Sequence, residues 1–435
     1  INLFGSKYTW YLRHYNRTVS SKLDRALANV HDLDYWDNIS RITLPKLNSD
    51  HHSILVSLTS RNPKASPPFR FNNAWSSDLD CSFSIKSAWG SLNHHKEVFF
   101  CFFKLKKRKI CLKPWCSAKS KHMDKDITNL ESEITHIQKN NTCSDFLLDP
   151  QVEINISMKL SKLLVLKDNI RKQLFKAKWL SNGDRNTMFY NYLQRIRKAY
   201  HPLSFLRDKD TLLDSEEAIV SHMVSYFENT SNGSPINKNL LPEVIPDLVT
   251  EEDNLSLLII PLDHEIKDTV FSLNSDSALG PDGFNNDFFQ LHWETILVDV
   301  CKMVKSIFSN GVLPHGINSR FIDLIPKETN ASEIHLFRHI ALINTLYKII
   351  SRLLANRISS HCQKNVSWNQ FGFIKGRSIQ YFIFFASECT NTLNKMNRGG
   401  NVAIKLDIRK AFDTIDWNFI FKVLHAFVFN DVFIS

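Results

Sequence analysis

Lys405-Leu406-Asp407-Ile408-Arg409-Lys410-Ala411-Phe412-Asp413-Thr414-Ile415-Asp416-Trp417, near the end of the chain, is the stretch on which the reading of the whole sequence turns. Residues 401–406 form a short apolar run of strand type, Asp407 stands where that strand ends, and residues 409–417 turn into a helix. A carboxylate at the C-terminal tip of a buried strand is held rigidly and still reaches solvent. A divalent-metal site for nucleotidyl transfer needs that placement, with hard oxygen ligands for Mg2+ and room for substrate phosphates. A surface Asp that ends a strand and caps a helix has the same local sequence, so the assignment depends on what surrounds it.

A chain of 435 residues has room for two or three domains, and 43% hydrophobic content supports packed cores and excludes a disordered chain. Phe is abundant at 31 and Gly scarce at 12, which favours helix-rich segments with few tight turns. A net charge of +10 and a pI of about 9.1 fit a polyanionic partner, most simply nucleic acid. The eight cysteines include no CxxC pair, and the closest two, Cys111 and Cys116, have no spaced His partner. Neither a zinc site nor a disulfide framework is expected, and the thiols suit a reducing compartment. No basic-then-apolar leader opens the sequence and no apolar stretch approaches membrane-spanning length. The expected location is therefore nucleus or cytoplasm, without a membrane partner. Opening without Met and stopping just after an apolar run, the chain looks cut at both ends.

Residues 8–58 form the first block. Tyr8-Thr9-Trp10-Tyr11 has strand character, residues 22–27 read as a second strand or a strand-to-helix turn, and Asp50-His51-His52 precedes an apolar strand at 54–56. An Asp and a His on neighbouring strand ends can form a dyad. The carboxylate fixes the imidazole tautomer, and the imidazole takes a proton from water or holds a phosphate oxygen. An N-cap beside a surface His leaves the same trace. Taken in order, Tyr-Thr-Trp, Lys-Leu-Asp-Arg and Ser-Asp-His before an apolar strand resemble the C-terminal end of the endonuclease domain of LINE-type (non-LTR) retrotransposons. That domain has the exonuclease–endonuclease–phosphatase fold. The resemblance implies that Asp24 orients His51, that His51 is the catalytic His, and that Asp50 lies beside the metal and the scissile phosphate. The family's metal-binding Glu and active-site Asn come from earlier strands, absent here, so nuclease activity is not expected of this chain alone.

The Pro-containing segment 63–68 marks a boundary. Between residues 99 and 125 basic residues dominate: Lys104, Lys106, Lys107, Arg108, Lys109, Lys113, Lys119 and Lys121, interleaved with Phe102, Phe103 and Trp115. Such a stretch fits a nucleic-acid surface or a solvated helix face with a few core aromatics. Apolar spacings of three and four predict helices over 126–140 and 154–175, paired as an antiparallel hairpin around a loop at 141–149. Residues 178–189, with Asn182-Gly183-Asp184 as a turn, resemble a segment found between endonuclease and polymerase in plant LINE elements. Asp208 to Asp210 reads as a turn, Ser215 as the cap of the next helix, and 229–239 as a polar linker.

From residue 251 the elements expected are a helix at 263–274, a Gly280-Pro281-Asp282-Gly283 turn, a helix at 288–308 and a strand at 320–327 ending in Pro326-Lys327. A helix at 344–361 follows, then an apolar strand before Gly376-Arg377-Ser378, which would place a cation and backbone donors near a phosphate. Gly-Pro-Asp-Gly, Leu-Ile-Pro-Lys, Phe-Arg-x-Ile, Tyr-Lys-Ile-Ile, Leu-Ala-Asn-Arg, Phe-Ile-Lys-Gly-Arg-Ser and Lys-Leu-Asp-x-x-Lys-Ala-Phe-Asp occur in that order. Together they resemble the reverse transcriptase of LINE-type retrotransposons, most closely those of plants.

The resemblance implies RNA-templated DNA synthesis from dNTPs, with an RNA template, a DNA target and Mg2+. It assigns Asp407 to the catalytic metals, Phe412 to the gate under the incoming sugar, and Lys327, Arg338 and Arg377 to fingers segments that hold template or triphosphate. Two departures stand out: His339 replaces the family's Pro, loosening a turn, and Gln380-Tyr381 replaces an Asp-Asn pair. The fold expected is α+β in three parts. Residues 1–60 would be the terminal strands of an endonuclease-type α/β sandwich, 61–245 a mostly helical basic linker, and 246–435 an incomplete right-hand polymerase with fingers and the start of the palm. The palm motif with two adjacent Asp residues and the thumb would lie beyond Ser435. The chain is thus expected to be a reverse transcriptase fragment, with nucleic-acid binding without catalysis as the alternative. On that reading primer extension by this polypeptide with Mg2+ and dNTPs gives no product, and any Asp407-dependent product would refute it.

Overall fold

The computed structural model describes the chain except residues 1, 6–7, 15–16, 30–31, 33–34, 37, 44–49, 60–67, 91–99, 144–149, 176–202, 204, 210, 232–244, 246–247, 329–330, 394, 396–398, 407–413 and 435. The described residues group into two units. The first comprises 1–219, 273–297 and 316–345, and the second 220–272, 298–315 and 346–435.

In the first unit, β1 (Asn2–Gly5) runs parallel to β4 (Asn38–Thr43), which pairs antiparallel with β5 (Ile54–Thr59). A separate hairpin joins β2 (Trp10–His14) to β3 (Arg17–Ser21). Alternate residues of β4 face inward: Ile39, Arg41 and Thr43 are all buried, as period-two pleating requires. Residues 22–29 form no regular element, so the strand or strand-to-helix turn expected at 22–27 is absent. That loop is held from outside itself: the Thr9 hydroxyl oxygen accepts the amides of Leu23 (3.0 Å) and Asp24 (2.9 Å).

The middle of this unit is helical. A 3-10 turn at Asn73–Ser77 leads into α1 (Leu79–Gly90), then α2 (Phe100–Cys143) and α3 (Pro150–Phe175). α2 starts well before residue 126, where the sequence pattern placed it, because Pro114 does not end it. Buried Cys101, Leu105, Leu112, Met123 and Ile127 keep one face inward across the proline. α2 and α3 pack together as the expected hairpin, and the Asp124–Lys167 ion pair (2.6 Å) lies nearly equidistant in sequence from the connecting loop.

A short segment then knits this unit together. The Phe71 amide donates to the Gly283 carbonyl at 2.8 Å, while the Asn72 side chain donates to Ile170 O at 3.0 Å and the Asn73 amide to Gln173 Oε1 at 2.7 Å. Phe69, Phe71, Phe284 and Phe288 form one aromatic cluster with ring centroids 4.5–6.1 Å apart. The Gly280–Gly283 turn closes through its own 3.0 Å hydrogen bond, and Asn344 Oδ1 accepts the Asp282 amide at 3.0 Å. Small strands β6 (Leu206–Asp208) and β7 (Thr211–Leu213) make the turn expected there, with Lys209 at φ 52°. β8 (Arg320–Pro326) and β9 (Phe337–Ile343) form an antiparallel ladder. His339 is paired with Leu324 inside this ladder, so the substitution for Pro loosens no turn; it supplies a strand residue with an amide.

α4 (Glu216–Ser231) begins at Ser215, whose hydroxyl accepts the Ala218 amide at 3.2 Å. The second unit holds α5 (Glu251–Leu258) and α6 (Asp263–Ser272). The helix expected at 288–308 is two helices, α7 (Asn286–Leu291) and α8 (Trp293–Asn310), broken at His292, which caps the first. α9 (Thr345–Asn365), α10 (Ile379–Thr392), α11 (Trp417–Ala426) and α12 (Asp431–Ile434) complete the order. Arg357 of α9 clamps α5 and α6: its guanidinium donates to both Glu265 oxygens at 3.0 and 2.9 Å and to Leu257 O at 3.1 Å. Two expected strands do not form. Residues 372–373 form a turn, with Phe373 at φ 65°, inside an irregular stretch, and 401–406 are irregular. α11 starts at Trp417 on an Asp416 cap, later than the helix expected from 409; residues 409–413 of that expectation lie outside the described residues, as does the 178–189 block.

Gly283 has φ +82°, and a Cβ there would lie 2.3 Å from the Phe69 carbonyl oxygen. Gly283→Ala should cost about 2–4 kcal/mol, from left-handed strain plus the clash. Gly311→Ala, at φ +66° with nothing within 4 Å, should cost only about 1–2 kcal/mol. Urea unfolding of both variants checks the difference, and equal losses would remove the close approach as its cause.

Candidate functional site

The N-terminal strands bring together side chains far apart in sequence. His51 Nδ1 lies 2.9 Å from Asp24 Oδ2. An isolated bridge between Trp10 and His51 and a 2.7 Å bond from the His52 amide to Thr9 O pin the strand end that carries His51. The Trp10 indole N–H donates to Asp50 Oδ2 at 2.8 Å. Beneath them, buried Arg41 of β4 donates through Nη2 to the Asp24 carbonyl at 3.0 Å. Thr9 thus sets the loop, Arg41 supports its floor, and Asp24 is aimed at His51. Both partners still reach solvent, at 42% and 39% side-chain exposure.

Electrostatics follow the geometry. The Asp24 hydrogen bond holds His51 above the ordinary imidazole range, against some desolvation. The same bond, joined by one from Thr9, holds the Asp24 carboxyl below the usual carboxylate range. The arrangement fixes Nδ1 on the carboxylate and gives the ring a set orientation, the geometry of a proton-handling dyad. Thr9, Trp10 and Arg41 were not singled out by sequence reading. Thr9 and Trp10 stand in the quoted Tyr-Thr-Trp strand, while Arg41 gave no signal beyond a cation in an apolar alternation.

In the polymerase-like part, Asp407 and Phe412 lie outside the described residues. Lys327 and Arg338 stand at one end of the β8–β9 ladder: Arg338 pairs with Ile325, and Lys327 directly follows Pro326. Both are exposed; the Lys327 ammonium donates to His335 O at 2.8 Å. Arg377, in the second unit, is differently placed. Its guanidinium donates to the carbonyls of Val366 (2.8 Å), Gln370 (2.7 Å) and Ser367, tying down the loop before α10. Its neighbour Ser378 caps α10 through the Gln380 amide. Among the described residues no group of three or more His, Cys, Asp or Glu is placed to hold a metal ion. No helix among them is long and apolar enough to cross a membrane.

A further constellation escaped sequence reading. His361 Nδ1 lies 2.8 Å from Asp253 Oδ1, and its Nε2 lies 3.1 Å from Ser256 Oγ. The distances match a Ser-His-Asp relay, but the serine hydroxyl donates its proton to the Asp253 carbonyl at 2.8 Å. Asp253 also closes the capping box of α5 with Thr250. The cluster therefore docks α5 on α9.

With these geometries in view, comparison with known proteins identifies the class. Residues 325–434 match the family described as reverse transcriptase (RNA-dependent DNA polymerase). The chain carries a reverse transcriptase region, and its likeness is to the polyproteins of non-LTR, LINE-type retrotransposons. It is 24% identical over 429 residues, 95% of its length, to the Transposon TX1 uncharacterized 149 kDa protein of Xenopus laevis. It is 30% identical over 159 residues, 34% of its length, to the Retrovirus-related Pol polyprotein from type-1 retrotransposable element R2 of Nasonia vitripennis. It spans 32% of the first relative and 14% of the second.

Asp24→Asn removes the charge that holds His51 up, so the His51 imidazole should titrate at lower pH by NMR. A titration unchanged from wild type would break the dyad assignment. The linkage has two signs. Asp24, lowered on folding, contributes stability above about pH 4 that is lost as pH falls through its folded value; His51, raised, contributes below about pH 6.5 and loses it as pH rises through its folded value. The pair therefore favours the folded state most between those limits.

Proposed function

We propose that this chain is the part of a LINE-type polyprotein that joins the end of an endonuclease domain, through a helical basic linker, to the fingers and first palm motif of the polymerase. The proposed borders are 1–60, 61–245 and 246–435. The observation that carries the polymerase reading is the family match over 325–434, which includes Asp407, Phe412, Lys327, Arg338 and Arg377. The affinity to plant elements rests on motif order alone.

The activity proposed is DNA synthesis on an RNA template from dNTPs, at a DNA target. Asp407 offers the hard oxygen donor that Mg2+ prefers and is assigned to hold it. Bound there, Mg2+ would offset the charge of the triphosphate. Phe412 would lie under the incoming sugar and exclude a 2′-hydroxyl. Lys327 and Arg338, exposed at one end of the ladder, would neutralise template or triphosphate phosphates. Arg377, with its donors on loop carbonyls, is better read as a positioning residue that shapes the approach to α10. For the N-terminal part, Asp24 would hold Nδ1 of His51 while Nε2 serves the phosphate or a water proton, with Asp50 alongside.

In a polyprotein containing this segment, Asp407→Asn should lower primer extension on an RNA template by about a hundredfold or more, as loss of a metal or charge-stabilising group does. Phe412→Val should raise ribonucleotide incorporation relative to dNTP. Product at wild-type level from the Asp407 variant would sink the assignment.

A further inference from the structure

We propose that the outward face of α2 is a docking track for a nucleic-acid phosphate backbone, built from Lys106, Lys107, Lys113 and Lys121 with Phe103 among them. The inference rests on the reading of the chain as a nucleic-acid protein but not on its catalysis.

Residues 100–123 contain eight Lys and Arg and no Asp or Glu. The helix sorts these eight cations into two sets. At about 100° per residue, Lys104, Arg108, Lys109 and Lys119 fall on the arc that also carries Cys101, Leu105 and Leu112. Each is drawn into the protein. Lys104 is buried over the rings of Trp89 and Phe100, at 5.3 and 4.8 Å. Arg108 is buried, and Lys109 Nζ donates to Pro281 O at 2.6 Å. Lys119 pairs with Asp78 at 3.0 Å and Asp80 at 3.3 Å, and its pKa is raised by them.

Lys106, Lys107, Lys113 and Lys121 fall on the opposite arc, about 120° wide, and all four are exposed. Exposed Phe103 and Ile110 share that arc. The nearest acid along the helix, Asp124, is held by Lys167 at 2.6 Å. The four lysines span 15 residues, about 22 Å at 1.5 Å per residue. A row of cations of that length with an aromatic side chain beside it suits phosphate neutralisation with base stacking. A merely solvated helix face would carry both signs, as α2 does beyond residue 123, where Asp124, Asp126, Glu131 and Glu133 return.

The test is anisotropy titration of the full chain with a 5′-labelled 20-nucleotide RNA and with DNA of the same sequence, across about 50 to 400 mM KCl. Changing Lys106, Lys107, Lys113 and Lys121 together to Gln should flatten the slope of log K against log salt by about 3, four contacts at about 0.7 each. Lys109→Gln, on the inward face, should leave the slope unchanged. The corresponding four-Arg variant should keep it, which separates lost charge from lost fold. Tighter binding of RNA, or of DNA, would each support the track and name its occupant. An unchanged slope in the four-Gln protein overturns the proposal, as does a wild-type chain that binds neither strand. Failure of the catalytic reading is seen separately, in primer extension by the Asp407 variant, which none of these substitutions enters.

Discussion

Two backbones meet at Gly283 and Phe69 with no space for a side chain between them, and the first unit is organised by that closure. The Phe71 amide spends its hydrogen bond there, which fixes Asn72 and Asn73 against the end of α3. Phe284 then meets Phe69 edge to face, and Phe288 meets Phe71 in the same way. Gly280 is equally constrained: a Cβ would lie 2.6 Å from the Asn344 amide, and Asn344 in turn precedes α9. Burial pushes His292, at the edge of this cluster, down to about 4, so it packs as a neutral ring against Phe71 and Phe288. The Gly-Pro-Asp-Gly turn is thus a packing device first.

Much of this was legible in the sequence where periodicity and punctuation agree. The α2–α3 hairpin follows from apolar spacing, β8 from its run ending in Pro326, and the α4 cap from Ser215. The misreadings have physical reasons. The helix expected from 126 starts at Phe100, because a continuous buried face carries it through Pro114. His292 was read as one more helical residue, although it caps α7 and ends it. The runs at 371–374 and 401–406 look like strands by composition, but a strand needs a partner ladder, which local sequence does not specify.

The candidate dyad shows the same division. Asp24 and His51 were singled out by residue type and order, and the fold places them 2.9 Å apart. What holds them could not be read locally. Thr9 reaches 14 and 15 residues along the chain to grip the loop, and Arg41 reaches back 17. Arg377 makes the converse point. A cation in a Gly-Arg-Ser turn looks like a phosphate ligand, whereas its guanidinium is engaged by carbonyls of its own loop. Local motifs name the chemical group; the partners that decide its use are non-local.

The closure between residues 71 and 283 has a temporal consequence. Asn73 and Asn285, bonded at 2.8 Å beside it, are 212 residues apart in the chain. At translation rates of roughly 5–20 residues per second, the first half of this contact waits about 10 to 40 s for the second to be made. During that interval Phe69 and Phe71 have none of their Phe284 and Phe288 partners, and the hydrophobic face they form is open to other chains. The nascent polypeptide therefore passes through a long window of vulnerability set by where two glycines fall in the message.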